Sequence, residues 1–213
     1  MSETARGDVS ALVEARLTMT FGEPDARAAV TFLGADRIEV LRFLEPGGGL
    51  GEGGGGKTAP PLVRYVTLGM SAQPMTDPTA TVADPLRGPR AELVLTVRAG
   101  RADTDGVLRA LAVLASTPQV EGLVVAPGAS LDVGEPLWPG AGFTSVLVGE
   151  PGGLVEDLEL DAPMEPVRFL PLLPMTPNEA AWKRVHGAAE LEERWLRHGV
   201  DLRDPLRGPV ALD

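Results

Sequence analysis

No apolar run in this chain goes far before a glycine, a proline or a charge interrupts it, and the sequence holds 26 Gly and 20 Pro. Such punctuation limits each helix or strand to a short span and forces many turns. Between the breaks two periodicities occur. In RAELVLTVR (90–98) Ala91, Leu93, Leu95 and Val97 alternate with Glu92, Val94, Thr96 and Arg98, the period of a strand. Downstream, Val107, Leu108, Leu111, Ala112 and Ala115 recur at helical spacing. The chain therefore reads as an α+β protein, a mixed and mainly antiparallel sheet flanked by helices.

At 213 residues with 44% hydrophobic content it is long enough to bury a substantial core as one domain spanning 1–213. Asp8 caps a predicted helix running to about Phe21, with Val9, Leu12, Val13, Ala15, Arg16 and Met19 on one face. Two β-like runs, 28–34 and 37–45, follow and are joined as a hairpin through Gly34, Ala35 and Asp36. A Gly-rich linker at about 46–61 separates them from a strand at 63–71, and a Pro-rich loop leads to the strand at 90–98. Asp103 or Thr104 caps the next helix, which Pro118 is expected to end. Further strands are predicted at 122–126, 143–150, 154–160 and 167–173. Thr176, Pro177 and Glu179 then form the signature of a capping box, Gly187 divides the helical segment it opens, and Gly199 ends it. Trp182 and Trp195 are expected to pack in the core of this last region.

Composition excludes several function classes. Cysteine is absent, so no disulfide or thiolate metal site can form, in keeping with a reducing cytoplasm. Two histidines, His186 and His198, are a poor inventory for a metal, and no cofactor is expected. The start of the sequence is polar and acidic, unlike a signal peptide, and no apolar run approaches a membrane span, so a cytoplasmic protein is expected. A formal charge of -11 repels nucleic acid and favours a basic protein partner. An acidic surface that serves only solubility is the plainer reading of the same charge.

The motifs that suggest chemistry fail on context. Gly51 through Thr58, GEGGGGKT, satisfies the phosphate-loop pattern, but Pro60 and Pro61 remove amides that the following helix would turn toward a phosphate. Ser71 resembles a nucleophile elbow except that Gln73 stands where glycine is needed, so it reads as a strand-ending turn. Glu156, Asp157 and Glu159 alternate with apolar residues and read as a solvated face. The hexapeptide DPLRGP occurs at 84–89 and again at 204–209 without repeated flanks, which implies two similar Asp-Pro turns.

The order of the segments resembles the suppressor of fused family. VRYVTLGMS carries an aromatic-x-x-x-Gly-x-Ser signature in Tyr65, Gly69 and Ser71, and RAELVLTVR carries the internal Glu92-Leu93 pair. FTSVLVGEP, VRFLPLLPMTPNE and HGAAELEERWL match its later strands and helices, so the resemblance runs from about Leu62 onward. It implies a module that binds another protein and is not an enzyme. The animal relative restrains a transcription factor by holding a peptide, and only its first-domain surface is carried over here. Bacterial members include immunity proteins, which implies an inhibitory role. A regulatory scaffold is the alternative, and a carboxylate-dependent enzyme the third reading. The family's peptide-contact region corresponds to 72–89, which nominates Pro74, Met75, Asp84 and Arg87 as partner contacts, with Pro74 standing where an aromatic is usual.

Overall fold

A computed structural model of the chain describes residues 3–31, 36–47, 60–76, 79 and 84–212, and side chains from Val9 onward. The glycine-rich stretch with the phosphate-loop pattern at 51–58, and the Gly34-Ala35 part of the hairpin connection, lie outside the described residues.

The described residues form a seven-stranded sheet in the order β1-β2-β3-β4-β7-β6-β5. Its strands are β1 (Ala26–Val30), β2 (Ile38–Glu45), β3 (Leu62–Leu68), β4 (Arg90–Arg98), β5 (Ser130–Asp132), β6 (Ser145–Val148) and β7 (Val167–Met175). The helices are α1 (Glu3–Phe21), α2 (Val107–Glu121), α3 (Pro177–His186) and α4 (Ala188–Arg197). Neighbouring strands run antiparallel except β4 and β7, which are parallel with Leu93 opposite Leu170. The fold is thus the mixed, mainly antiparallel α+β architecture that the sequence predicts.

Both faces of the central strands are buried, so their sequences are apolar at nearly every position. On one face Val40, Tyr65, Leu93, Leu95 and Leu172 meet Leu111 and Ala115 of α2. On the other, Leu41, Phe43, Val66, Val94 and Phe169 meet Val9, Val13 and Leu17 of α1 and Val155 and Leu158 of the segment before β7. The apolar stripe of α1 is therefore Val9, Val13 and Leu17, while Leu12 and Met19, predicted on it, are exposed. The helix also begins before Asp8.

Three other local expectations change. Pro118 lies inside α2 and does not end it. The carbonyl of Leu114, which loses its usual donor to the proline ring, accepts from Thr117 Oγ1 at 2.7 Å, so the helix continues to Gly122 with little unsatisfied. No side-chain cap opens α2, because Asp103 Oδ1 accepts from the Asp105 amide one turn too early. Of the predicted strands, 122–126 is irregular and 154–160 contributes a single bridge, Leu158 to Val167. Val125 directs its amide to Met75 Sδ at 3.3 Å, and Val155 and Leu158 enter the core three residues apart, a spacing no strand supports.

The C-terminal region is locked by Glu179. Its carboxylate completes the capping box with the Thr176 amide at 2.8 Å and accepts from Trp195 Nε1 at 3.0 Å and the Val210 amide at 3.1 Å. Arg207, nearly buried, adds a two-pronged ion pair at 2.7 and 3.0 Å and a bond to the Pro174 carbonyl at 2.6 Å. Burial works against the charge, but Arg207 and the surrounding donors outweigh it and hold the Glu179 carboxyl below its usual range. Trp195 is core, as its spacing predicts. Trp182 is half-buried against the same cluster and stacks on His186 with ring centroids 4.0 Å apart.

Candidate partner-binding site

The loop between β3 and β4 carries the expected contact residues, and its shape begins with the signature that precedes it. After β3 the chain turns through Met70–Ala72, entered by Gly69 at φ 116. A side chain at Gly69 would place its Cβ 2.7 Å from the Arg37 carbonyl oxygen, so glycine is required by both backbone angle and space. The Gly69 amide, the Ser71 amide and Ser71 Oγ all donate to Oε1 of Glu92, at 3.0, 3.0 and 2.6 Å. Thr67 Oγ1 donates to Oε2 at 2.6 Å. Arg90, also buried, holds the Ser71 carbonyl at 2.7 Å.

Gly69 and Ser71 of the first sequence signature and Glu92 of the second thus meet in one buried knot, while the Tyr65 hydroxyl turns to Thr104 and Asp105. Burial pushes the Glu92 carboxyl above its usual range, against the pull of the donors around it. With its hydroxyl committed to Glu92, Ser71 closes a turn, the structural role its sequence context suggests.

The neck of the loop is closed by the Met75 amide donating to the Pro89 carbonyl at 2.8 Å. Gly88, at φ 136, leaves room for that crossing, since its Cβ would stand 2.8 Å from the Met75 oxygen. Gln73 ties the start of the loop to Asp36 at 2.7 Å, and the Asp36 amide reaches Gln119 of α2 at 2.8 Å. Of the four nominated residues, Met75 is buried in the core under α2, out of a partner's reach, and Pro74 is half-buried beside it. Asp84 and Arg87 are exposed. Asp84 Oδ1 accepts from the amides of Leu86 and Arg87 at 2.9 and 3.1 Å, which fixes the turn and holds its carboxyl below the usual range. Arg87 is largely exposed and, among the described residues, pairs only loosely with Asp84 at 4.0 Å.

The second DPLRGP makes the same turn, with Asp204 Oδ1 accepting from the Leu206 amide at 3.0 Å. Identical hexapeptides therefore share local structure and differ in role: Arg207 turns inward to Glu179, and Arg87 stays in solvent.

Other ionisable groups come together at the N-terminus of α2. Arg42 bridges Asp25 and Asp105 at 2.6 and 2.7 Å, and the Tyr65 hydroxyl donates to Asp105 at 2.8 Å. Arg42 holds the Asp105 carboxyl low, and burial pushes the Tyr65 phenol up. One guanidinium thus ties two carboxylates, a structural ion-pair lock between β2 and the residues that lead into α2. Glu156, Asp157 and Glu159 are exposed, and among the described residues no three acidic or histidine side chains gather as metal ligands. No helix among them is long and apolar enough to cross a membrane.

Comparison with known proteins follows the same segments. The model of the suppressor of fused protein (SUFU) family matches residues 34–208. A suppressor of fused homologue from Neisseria gonorrhoeae shares the fold with a TM-score of 0.66 at 19% identity, over 96% of this chain and 98% of that one. A chain of the Sufu-Fu complex superposes with a TM-score of 0.60 at 12% identity, covering 97% of this chain and 91% of that one. Drosophila Suppressor of Fused gives 0.57 at 13% identity, where 95% of this chain covers 50% of the other. Among curated proteins no significant sequence match is found.

Proposed function

Because the chain belongs to the suppressor of fused family, we propose that it is a cytoplasmic, single-domain protein-binding module that works by occupying a partner and not by chemistry. The observation that carries this reading is the loop at 72–89. Its base is fixed by Glu92, Arg90 and Met75, and its outer turn presents Asp84 and Arg87 in a conformation already formed before any partner arrives. A preformed turn loses little entropy on binding, which suits recognition. Pro74 forms the shoulder of this surface, and Met75 supports it from below. The likeness to a chain of the Sufu-Fu complex supports a protein as the partner. An inhibitory or immunity role fits the family, with a regulatory scaffold as the alternative use of the same surface.

The partner is expected to be basic, since the chain carries a formal charge of -11. Long-range attraction would then steer association, so added salt should slow the association rate far more than it speeds dissociation. The test is affinity capture from the source organism, identification of the bound protein by mass spectrometry, and measurement of both rate constants over a range of salt. A toxin domain recovered this way favours immunity. Salt-independent association removes the steering claim, and turnover of a substrate by the purified protein removes the module reading itself.

A further inference from the structure

The sheet face opposite α2 is only partly roofed. α1 and the segment before β7 cover Leu41, Val66, Val94 and Phe169, but beyond the end of α1 at Phe21 two hollows open side by side. One, of about 420 Å³, is floored by Phe21 and Phe43, whose ring centroids lie 5.3 Å apart. The other, of about 100 Å³, is lined by Thr96, Phe169, Pro171, Leu173 and Leu202. Leu154 lines both and stands between them, 47% exposed. The cations at the two hollows both have partners: Arg64 is ion-paired with Glu45 and lies 5.0 Å over the Phe21 ring, and Arg203, at the second, pairs with Asp201 at 3.3 Å, so the floor offers apolar surface with its positive charge already matched.

The segment that supplies this ridge has the opposite character on its outer side. From Glu150 to Glu165 it holds Glu150, Glu156, Asp157, Glu159, Asp161 and Glu165 and no Lys or Arg. Arg168 approaches Glu150 at 3.8 Å and Arg16 approaches Glu156 at 3.5 Å, while Asp157, Glu159 and Asp161 form no ion pair with the described residues. Glu150 and Glu156 flank the Leu154 ridge in the chain, whereas the bridge from Leu158 to Val167 carries Glu159 and Asp161 toward the start of β7. Apolar hollows beside these two loosely paired carboxylates match a ligand that is apolar at its anchors and cationic around them.

We propose that this groove binds a basic peptide segment of a partner protein, with apolar side chains seated on either side of Leu154 and flanking Lys or Arg residues facing Glu150 and Glu156. The proposal rests on the protein-binding reading and places a second contact on a different surface from the 72–89 turn.

The probe is a library of random peptides displayed on phage and panned against the intact protein. Enriched peptides are then synthesised and titrated into protein carrying labelled leucine methyl groups. The expected sequences pair two apolar residues with several Lys or Arg, and binding shifts the methyl signals of Leu154, Leu173 and Leu202. Leu154→Glu, at an exposed position, should leave the thermal melt unchanged and weaken binding at least roughly tenfold. Glu156→Lys should reduce the association rate and its salt dependence. Enrichment of acidic peptides, unshifted groove methyls, or undiminished binding to Leu154→Glu would overturn the proposal. Peptides that shift Leu86 and survive Leu154→Glu would also overturn the groove while leaving the binding-module reading in place. A library that enriches nothing would count against both.

Discussion

Glu92 shows what a single buried acid does in this molecule. Four donors converge on its two oxygens and favour the charged form, while burial outweighs them and raises the carboxyl above its usual range. Glu92→Gln would turn an amide NH₂ toward groups that themselves donate. It should cost roughly 2–3 kcal/mol, read from denaturant melts, because buried donors lose their acceptor. The second buried acid, Glu179, has the opposite pH signature. Its folded carboxyl is held below the unfolded value, so it contributes stability above about pH 4.3 that is lost as pH falls through the folded value. For Glu92, raised in the folded state, stability instead declines as pH rises from about 4.3 toward the folded value. Glu179→Gln should therefore flatten the acid limb of the stability curve, measured as melting midpoint against pH. A limb equally steep in the variant would place its origin in other carboxylates.

Among the elements, those with strong local signals stand where the sequence predicts. β4 spans 90–98 as its alternation says, and the capping box at Thr176 and Glu179 opens α3. Thr176→Ala should cost about 1 kcal/mol through loss of the cap, and Trp195→Ala roughly 3–5 kcal/mol through loss of a buried ring. Unchanged denaturation midpoints for both would contradict this account of the C-terminal lock. The misplaced elements are those decided by tertiary partners. The run at 122–126 has strand-like composition, but its Val125 amide goes to Met75 Sδ in the core and not to a strand, and Pro118 is tolerated because Thr117 supplies the missing donor. The stripe of α1 depends on which side of the helix the sheet covers, and its own residues offered two choices.

At the scale of the whole molecule, the family resemblance located the 72–89 loop, and the sequence could not say what holds it. The knot that does so joins Gly69 and Ser71 to Glu92, residues more than twenty positions apart, and alternation alone makes Glu92 look like a solvent-facing strand residue. Likewise, nothing in the run at 72–76 distinguishes the buried Met75 from its half-buried neighbour Pro74. The groove around Leu154 is invisible in sequence because its walls come from α1, β2, β4, β7 and the chain end. In the proposed reading this arrangement separates stability from recognition, with the buried acids holding the frame and the exposed turn left to meet a partner.

That separation is tested most directly by titrating the captured partner into wild type, Arg87→Glu and Asp84→Asn, with thermal melts run in parallel. Asp84→Asn keeps an oxygen to accept the turn amides and removes only the charge. The account predicts melting temperatures close to wild type for both variants, with affinity reduced at least roughly tenfold in Arg87→Glu and less in Asp84→Asn. Wild-type affinity in both would contradict it and move the interface away from the 72–89 turn.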